Sequence, residues 1–393
     1  MDIRRELLFS IALACTAASA ASSVGSFLVT NNDVPLPNPP MSYPGSTVSF
    51  YLIAANGTLG DKIVVATGGD GIGGGFFASS RVAIVPQGED VCVFASNAAT
   101  ADIAGVSAKT HALTGDFAGS ATDSGTANGI GLAANAGHLY AAFSSSSTIA
   151  TFKIRSGCTL GFVGDIFTVG LNGGLVSGMA IHGPTMIATY GDGSIESFNI
   201  SAGVPVANGD AQNSTGFGHD HLPNGVDITA DGHYAIFGDA STVTTVEVSD
   251  ISSGELTPTV AYDLGGAWNS GTVRLSPDET LIFVTNNSGG RVSAAFFDRA
   301  TGKISPGCTS APLHGLYSSW SYAGAAALQL PTAQGGLLYV PEFGANGFSS
   351  IGIVELTSTG TTCRLTETAS SRLVDNSDSS NLLSIAVYPA RPF

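Results

Sequence analysis

Two charged residues stand where their counterparts along the chain are small. Asp227 and Arg274 occupy matched places in successive apolar segments, where others carry Ala83, Gly131, Ala180 and Ala386. A charge in such surroundings must be paired or solvated. An arginine there can hold a carboxylate or stabilise a developing oxyanion. The plainer accounts are an ion pair with Asp227 or a solvated guanidinium. The one histidine cluster, His219-Asp220-His221, supplies groups that titrate near neutrality and suit proton transfer. As metal ligands these three would need further partners. As an exposed loop they need no function at all.

A second set of polar residues gathers at the ends of apolar segments: Asn31, Asn32, Asp33, Asn97, Asp192, Asp239, Asn286, Asn287 and Glu342. Trp268 and Tyr322 lie in connections between segments. Asp192, Asp239, Asn287, Glu342 and Trp268, with Asp227, are the ligand-binding candidates. Their oxygens would suit Ca²⁺, a hard cation, yet Asn and Asp are also ordinary turn residues. No metal ligand and no cofactor are assigned. Gly68–Gly75 lacks the Lys-Ser/Thr and the following helix that a phosphate loop requires. No G-x-S-x-G nucleophile turn occurs.

The elements that must position these residues repeat. Similar apolar strands start near Phe27, Val91, Leu139, Ile187, Tyr234, Ile282 and Leu338. Around most of them the grammar is constant. A first strand opens on a small or polar residue plus Gly, as at Asn128-Gly129, Ser177-Gly178, Asn224-Gly225 and Ser270-Gly271. A tight turn leads to the second strand, a loop to an alternating third, and a hairpin to a fourth. Period-2 alternation bounded by Gly, Asn, Asp and Pro is a strand signal, and the spacing suits propeller blades.

The last strand-like segment, Leu382–Pro389, reads as a first strand, whereas Phe27–Asn31 reads as a second. The C-terminus therefore completes the N-terminal unit. The expected fold is all-β, a seven-bladed β-propeller closed by its C-terminal strand, in one domain over 21–393. Pro35–Pro44 falls between the second and third strands of the first unit, and Thr67–Ser79 links it to the next.

Residues 1–20 read as a signal peptide. Arg4 and Arg5 precede an apolar run, Leu7–Cys15, and a small-residue cleavage site, Ala18-Ser19-Ala20. The run is shorter than the ~20 residues that span a bilayer. Its removal takes two charges of each sign, so the net charge stays at −16. Such a surface repels phosphate backbones and anionic lipid, which argues against nucleic-acid and membrane partners. Cys92, Cys158, Cys308 and Cys363 remain, enough for two disulfides with three pairings open. Four Asn-X-Ser/Thr sequons, at Asn56, Asn199, Asn213 and Asn286, are glycan acceptors in a glycosylating host.

SGTVRLSPDETLIFVTNN at 270–287 resembles the signature of the lactonase-type seven-bladed propellers, which include 6-phosphogluconolactonase-like and carboxymuconate-cyclase-like proteins. DITADGHYAIFGD (227–239) and GGLLYVPEFG (335–344) look like weaker copies. The resemblance spans the chain after residue 20 at the level of repeat grammar. It implies Arg274 at the family's basic inner-strand position, with Thr272 where the family carries an acidic residue.

The expected function is an exported lactonase- or cycloisomerase-like propeller acting on a small lactone or carboxylated substrate at the channel mouth. Arg274 would bind the anion, and His219 or His221 would move protons. The alternative is a non-catalytic extracellular propeller that binds a glycan, metabolite or protein. A monomer is expected in either case.

Overall fold

The computed structural model describes residues 24–32, 45–72, 80–118, 129–213, 223–239, 245–264, 270–286, 290–313, 327–328, 335–343, 349–368, 373–375 and 384–389. They form seven antiparallel sheets. Each of the seven expected starts falls within a second strand: Phe27–Asn31, Asp90–Asn97, His138–Phe143, Thr185–Tyr190, Tyr234–Asp239, Leu281–Asn286 and Gly335–Phe343.

Blade 1 closes the ring. Its order outward is Ser384–Tyr388, Phe27–Asn31, Thr47–Ile53 and Leu59–Ala66. The C-terminal strand pairs with the N-terminal one along its whole length, from Asn31 opposite Ser384 to Phe27 opposite Tyr388. The edge that Phe27–Asn31 would otherwise expose is thereby covered.

The seven buried clusters show why the ring holds, because each lies between two neighbouring blades. Phe27, Val48 and Phe50 of blade 1 meet Val91 and Val93 of blade 2. Cys92 and Phe94 meet Leu139 and Phe152 of blade 3. The pattern continues around the ring. It ends where Tyr339 and Ile353 of blade 7 meet Leu28, Ile385 and Val387 of blade 1. Alternate residues of one strand serve two different interfaces, as Val91 and Cys92 do, so blades apolar on both faces are buried only by stacking in a circle.

Two disulfides cross blade interfaces. Cys92–Cys158 ties blade 2 to blade 3, and Cys308–Cys363 ties blade 6 to blade 7. Among the described residues, helical structure amounts to the short 3-10 turns Ser144–Ser146 and Ser156–Cys158 and the single residue Ser80. Connections from second to third strands, and from blade to blade, lie on one side of the ring, the loop face. The tight turns between first and second and between third and fourth strands lie on the other, the turn face.

Candidate functional site

The inner strands carry the two charges as the sequence predicts, at equivalent register. Asp227 stands opposite Ile236 in blade 5, and Arg274 opposite Phe283 in blade 6. Asp227 is buried, 8% exposed. Its Oδ1 accepts the Ile228 N–H and its Oδ2 the Leu275 N–H, both at 2.9 Å. The carboxylate thus bridges two sheets by binding the backbone beside Arg274. Val273 and Leu275 pack between blades 5 and 6. Strand pleating puts Arg274 on the opposite face, turned towards blade 7. Its guanidinium is half-buried, and Nη1 donates to the Val273 carbonyl at 3.1 Å.

Depth matters as much as register. The strand Ser270–Leu275 begins at the loop face, where Ser270 faces Asn286, and Leu275 adjoins the turn. At ~3.3 Å per residue, Arg274 lies up to ~13 Å along the strand from the loop face. The inner-strand arginine is therefore inside the ring, towards its turn face, and not at the loop-side mouth.

The described strand-end residues do not form a solvent-facing ring. Asn31, Asn32 and Asn97 are fully buried and Asn286 nearly so. Asn31 Nδ2 donates to the Arg81 and Ser96 carbonyls at 3.1 and 2.9 Å. Asn32 binds the Thr47 and Ser49 hydroxyls, and Asn286 binds the Ser293 hydroxyl. Where a ladder stops, backbone and hydroxyl groups need partners, and a short amide supplies them. Tyr190 fills the equivalent place in blade 4, bonded to the Glu196 carboxylate and 2.6 Å from the Thr168 hydroxyl. Burial is the main cause that raises the Tyr190 phenol above its ordinary pKa, and the Glu196 bond adds to it.

Glu342, 2% exposed, occupies this place in blade 7, with Oε2 accepting the Ser350 hydroxyl at 3.0 Å. It also hydrogen-bonds Glu367, whose carboxyl burial raises despite that bond. Asp192 wraps the connection into blade 4, accepting N–H bonds from Asn172, Gly174 and Ser194. Burial opposes ionisation of Asp192, but these bonds and the Ser194 hydroxyl outweigh it and lower the pKa. Asp239 pairs through its backbone with Pro223 and Thr245. His219, Asp220, His221, Trp268, Asn287, Asp33 and Tyr322 lie outside the described residues. Among the described residues, no three His, Cys, Asp or Glu side chains gather as metal ligands would.

No family model matches the chain, and no curated protein matches it. Solved structures do. A Bacteroides uniformis protein described as a "putative 6-phosphogluconolactonase" superposes with a TM-score of 0.64 at 14% identity, covering 92% of this chain and 99% of its own. One from Bacteroides fragilis, described likewise, gives 0.63 at 14%, covering 93% and 99%. The periplasmic gluconolactonase of Pseudomonas aeruginosa gives 0.52 at 13%, covering 71% and 80%. The chain has the fold of the lactonase-type propellers. At these identities the likeness is one of fold, which hosts many activities.

Within this lactonase-type fold, Arg81 is the residue that sequence reasoning missed. It is fully buried at the loop-face end of blade 2's inner strand, where blades 3, 4 and 5 open on Gly129, Gly178 and Gly225. Its N–H donates to the Ser384 hydroxyl at 3.0 Å, and its carbonyl accepts Asn31. A Cβ on Gly129 would sit 2.9 Å from Arg81 Nη2, so that glycine makes room for the guanidinium. Burial lowers the guanidinium pKa to about 10. The signal was present: Ser80-Arg81-Val82 breaks the small-residue-plus-glycine opening of blades 3 to 6.

Proposed function

We propose that the protein is an exported lactonase- or cycloisomerase-like enzyme acting on a small lactone or carboxylated substrate. The observation that carries this reading is the place of Arg274. A half-buried guanidinium stands on an inner strand at a position that is small in blades 3 and 4, where the ladder register puts Ala133, not Gly131, and Ala180. Asp227 fixes the backbone beside it. A planar, permanently charged group on an inner strand suits a carboxylate or an oxyanion. His219 and His221, which precede the inner strand Pro223–Ile228 of blade 5 in the sequence, would move the proton. Two inter-blade disulfides suit the oxidising compartment that export implies. A monomer without a nucleic-acid partner accords with the net charge of −16.

Anion binding and proton transfer separate in the kinetics. Arg274→Ala should raise KM, and His219→Ala or His221→Ala should lower kcat. The decisive experiment is a lactone and ester panel with purified protein, with and without Ca²⁺. Turnover that weakens in Arg274→Ala through a raised KM supports the enzyme; saturable binding of panel compounds without turnover supports a non-catalytic binding propeller. One observation favours that second reading. Thr272 takes the place of an acidic residue, is buried, and accepts a role inside the sheet through its N–H bond to Thr285 at 2.9 Å.

A further inference from the structure

We infer a second ligand site, for a small carboxylate with an apolar body, on the turn face between blades 1 and 2. A hollow of about 190 Å³ opens there. Phe27 and Phe50 form its floor, and Leu52 and Ile63 its wall. Leu52 is 55% exposed and Ile63 36%, uncommon for large apolar side chains standing together beside a cavity. Lys109 and His111 stand on its rim. Lys109 is one of only four lysines in a chain of net charge −16, and a positive charge beside an apolar hollow suits a negative head group.

His111 is the specific device. Ala108 and its counterparts Ile154, Ile200 and Ile251 leave their third strands with the same backbone bond, to Val91, Gly137, Pro184 and His233. Three residues later, blades 3, 4 and 5 carry Gly157, Gly203 and Gly254 with φ of 70°, 95° and 85°. Blade 2 carries His111 at φ 50°. A histidine in the left-handed region is strained by about 1 kcal/mol or more, and such outliers gather at ligand sites. Its ring meets Phe50 edge-on, with centroids 5.0 Å apart. The turn that carries it is preformed: Asp90 accepts the Lys109 N–H at 3.1 Å and the Ser107 hydroxyl at 2.6 Å. Lys109 bonds Glu89 at 3.2 Å, but Glu89 is 86% exposed and the pair is readily exchanged for a ligand.

The test is calorimetric titration of the full chain with phenylacetate, phenylacetamide and acetate. Saturable binding of phenylacetate is expected, weakened about tenfold or more when the charge or the ring is absent. His111→Gly restores the residue that blades 3, 4 and 5 use, so it should keep or raise the melting temperature while weakening phenylacetate about tenfold. Lys109→Gln should erase the preference for phenylacetate over phenylacetamide. Failure of phenylacetate to bind, equal binding of acetate, or binding unchanged in a folded His111→Gly chain would overturn the site.

Discussion

The carboxylate of Asp227 takes the N–H of Leu275 at 2.9 Å, across the gap between two separate sheets. Its other oxygen takes the N–H of Ile228. Inner strands of neighbouring blades share no ladder, so this side chain supplies a lateral bond that backbone pairing does not.

Asp227→Ala should leave two buried N–H groups without their acceptor and cost about 3 kcal/mol, since bonds to charged groups are strong and orphaned donors costly. Asp227→Asn keeps one acceptor and should cost less. Urea unfolding with an unchanged m-value measures both. A loss below about 0.5 kcal/mol for the alanine would show that water replaces the carboxylate.

Acid should loosen the turn face between blades 5 and 6. Arg299 bonds Asp231 at 2.9 Å and pairs with the buried Glu279 at 3.1 Å. Burial works against the Asp231 charge, but the Thr229 hydroxyl, the His233 N–H and Arg299 outweigh it and hold the pKa at about 2. The folded value lies below the unfolded value of ~3.9. The contribution is therefore complete above that value and is lost as pH falls from about 4 to about 2. Melting temperatures between pH 2 and 6 should fall more steeply for the native chain than for Asp231→Asn. Parallel curves would remove Asp231 from the account.

Each disulfide closes a long loop, with cysteines 66 and 55 residues apart. The loop-entropy relation gives about 4 kcal/mol for each. Cys92→Ala/Cys158→Ala and Cys308→Ala/Cys363→Ala should each lower the melting temperature, and reductant should do so only in chains that retain a bridge. An insensitive native chain would mean the thiols are unbridged in solution.

Deleting residues 380–393 removes Ile385 and Val387 from their cluster with Tyr339 and Ile353. Burial alone accounts for about 2 kcal/mol for each side chain. It also bares the length of Phe27–Asn31. The shortened chain should aggregate on expression, as scored by size-exclusion chromatography. A soluble product with the native melting temperature would separate closure from stability.

Architecture was legible because it depends on repetition. Phe27 and Tyr234 begin their strands where the pattern puts them, and the other five starts fall one to three residues inside theirs. The closing strand could be read because Leu382–Pro389 reads as a first strand and Phe27–Asn31 as a second. The site was less legible. Asp227 announces a charge near the axis, but its partner is the backbone of Leu275, and a backbone N–H carries no sequence signal. Asn31 and Asn97 match a binding ring and an internal fastener equally well, and burial decided between them. Disulfide pairing depended on which blades stack, which spacing does not encode.

The bridges also decide how the molecule would answer a protease. A single cut between Cys92 and Cys158, or between Cys308 and Cys363, leaves both products joined by a covalent bond, inseparable until a reductant is added. A cut between 159 and 307, the stretch that holds the outer strand of blade 3, blades 4 and 5 and most of blade 6, yields fragments joined only by packing. Tolerance of a nick is thus unevenly distributed around a ring whose blades are otherwise alike.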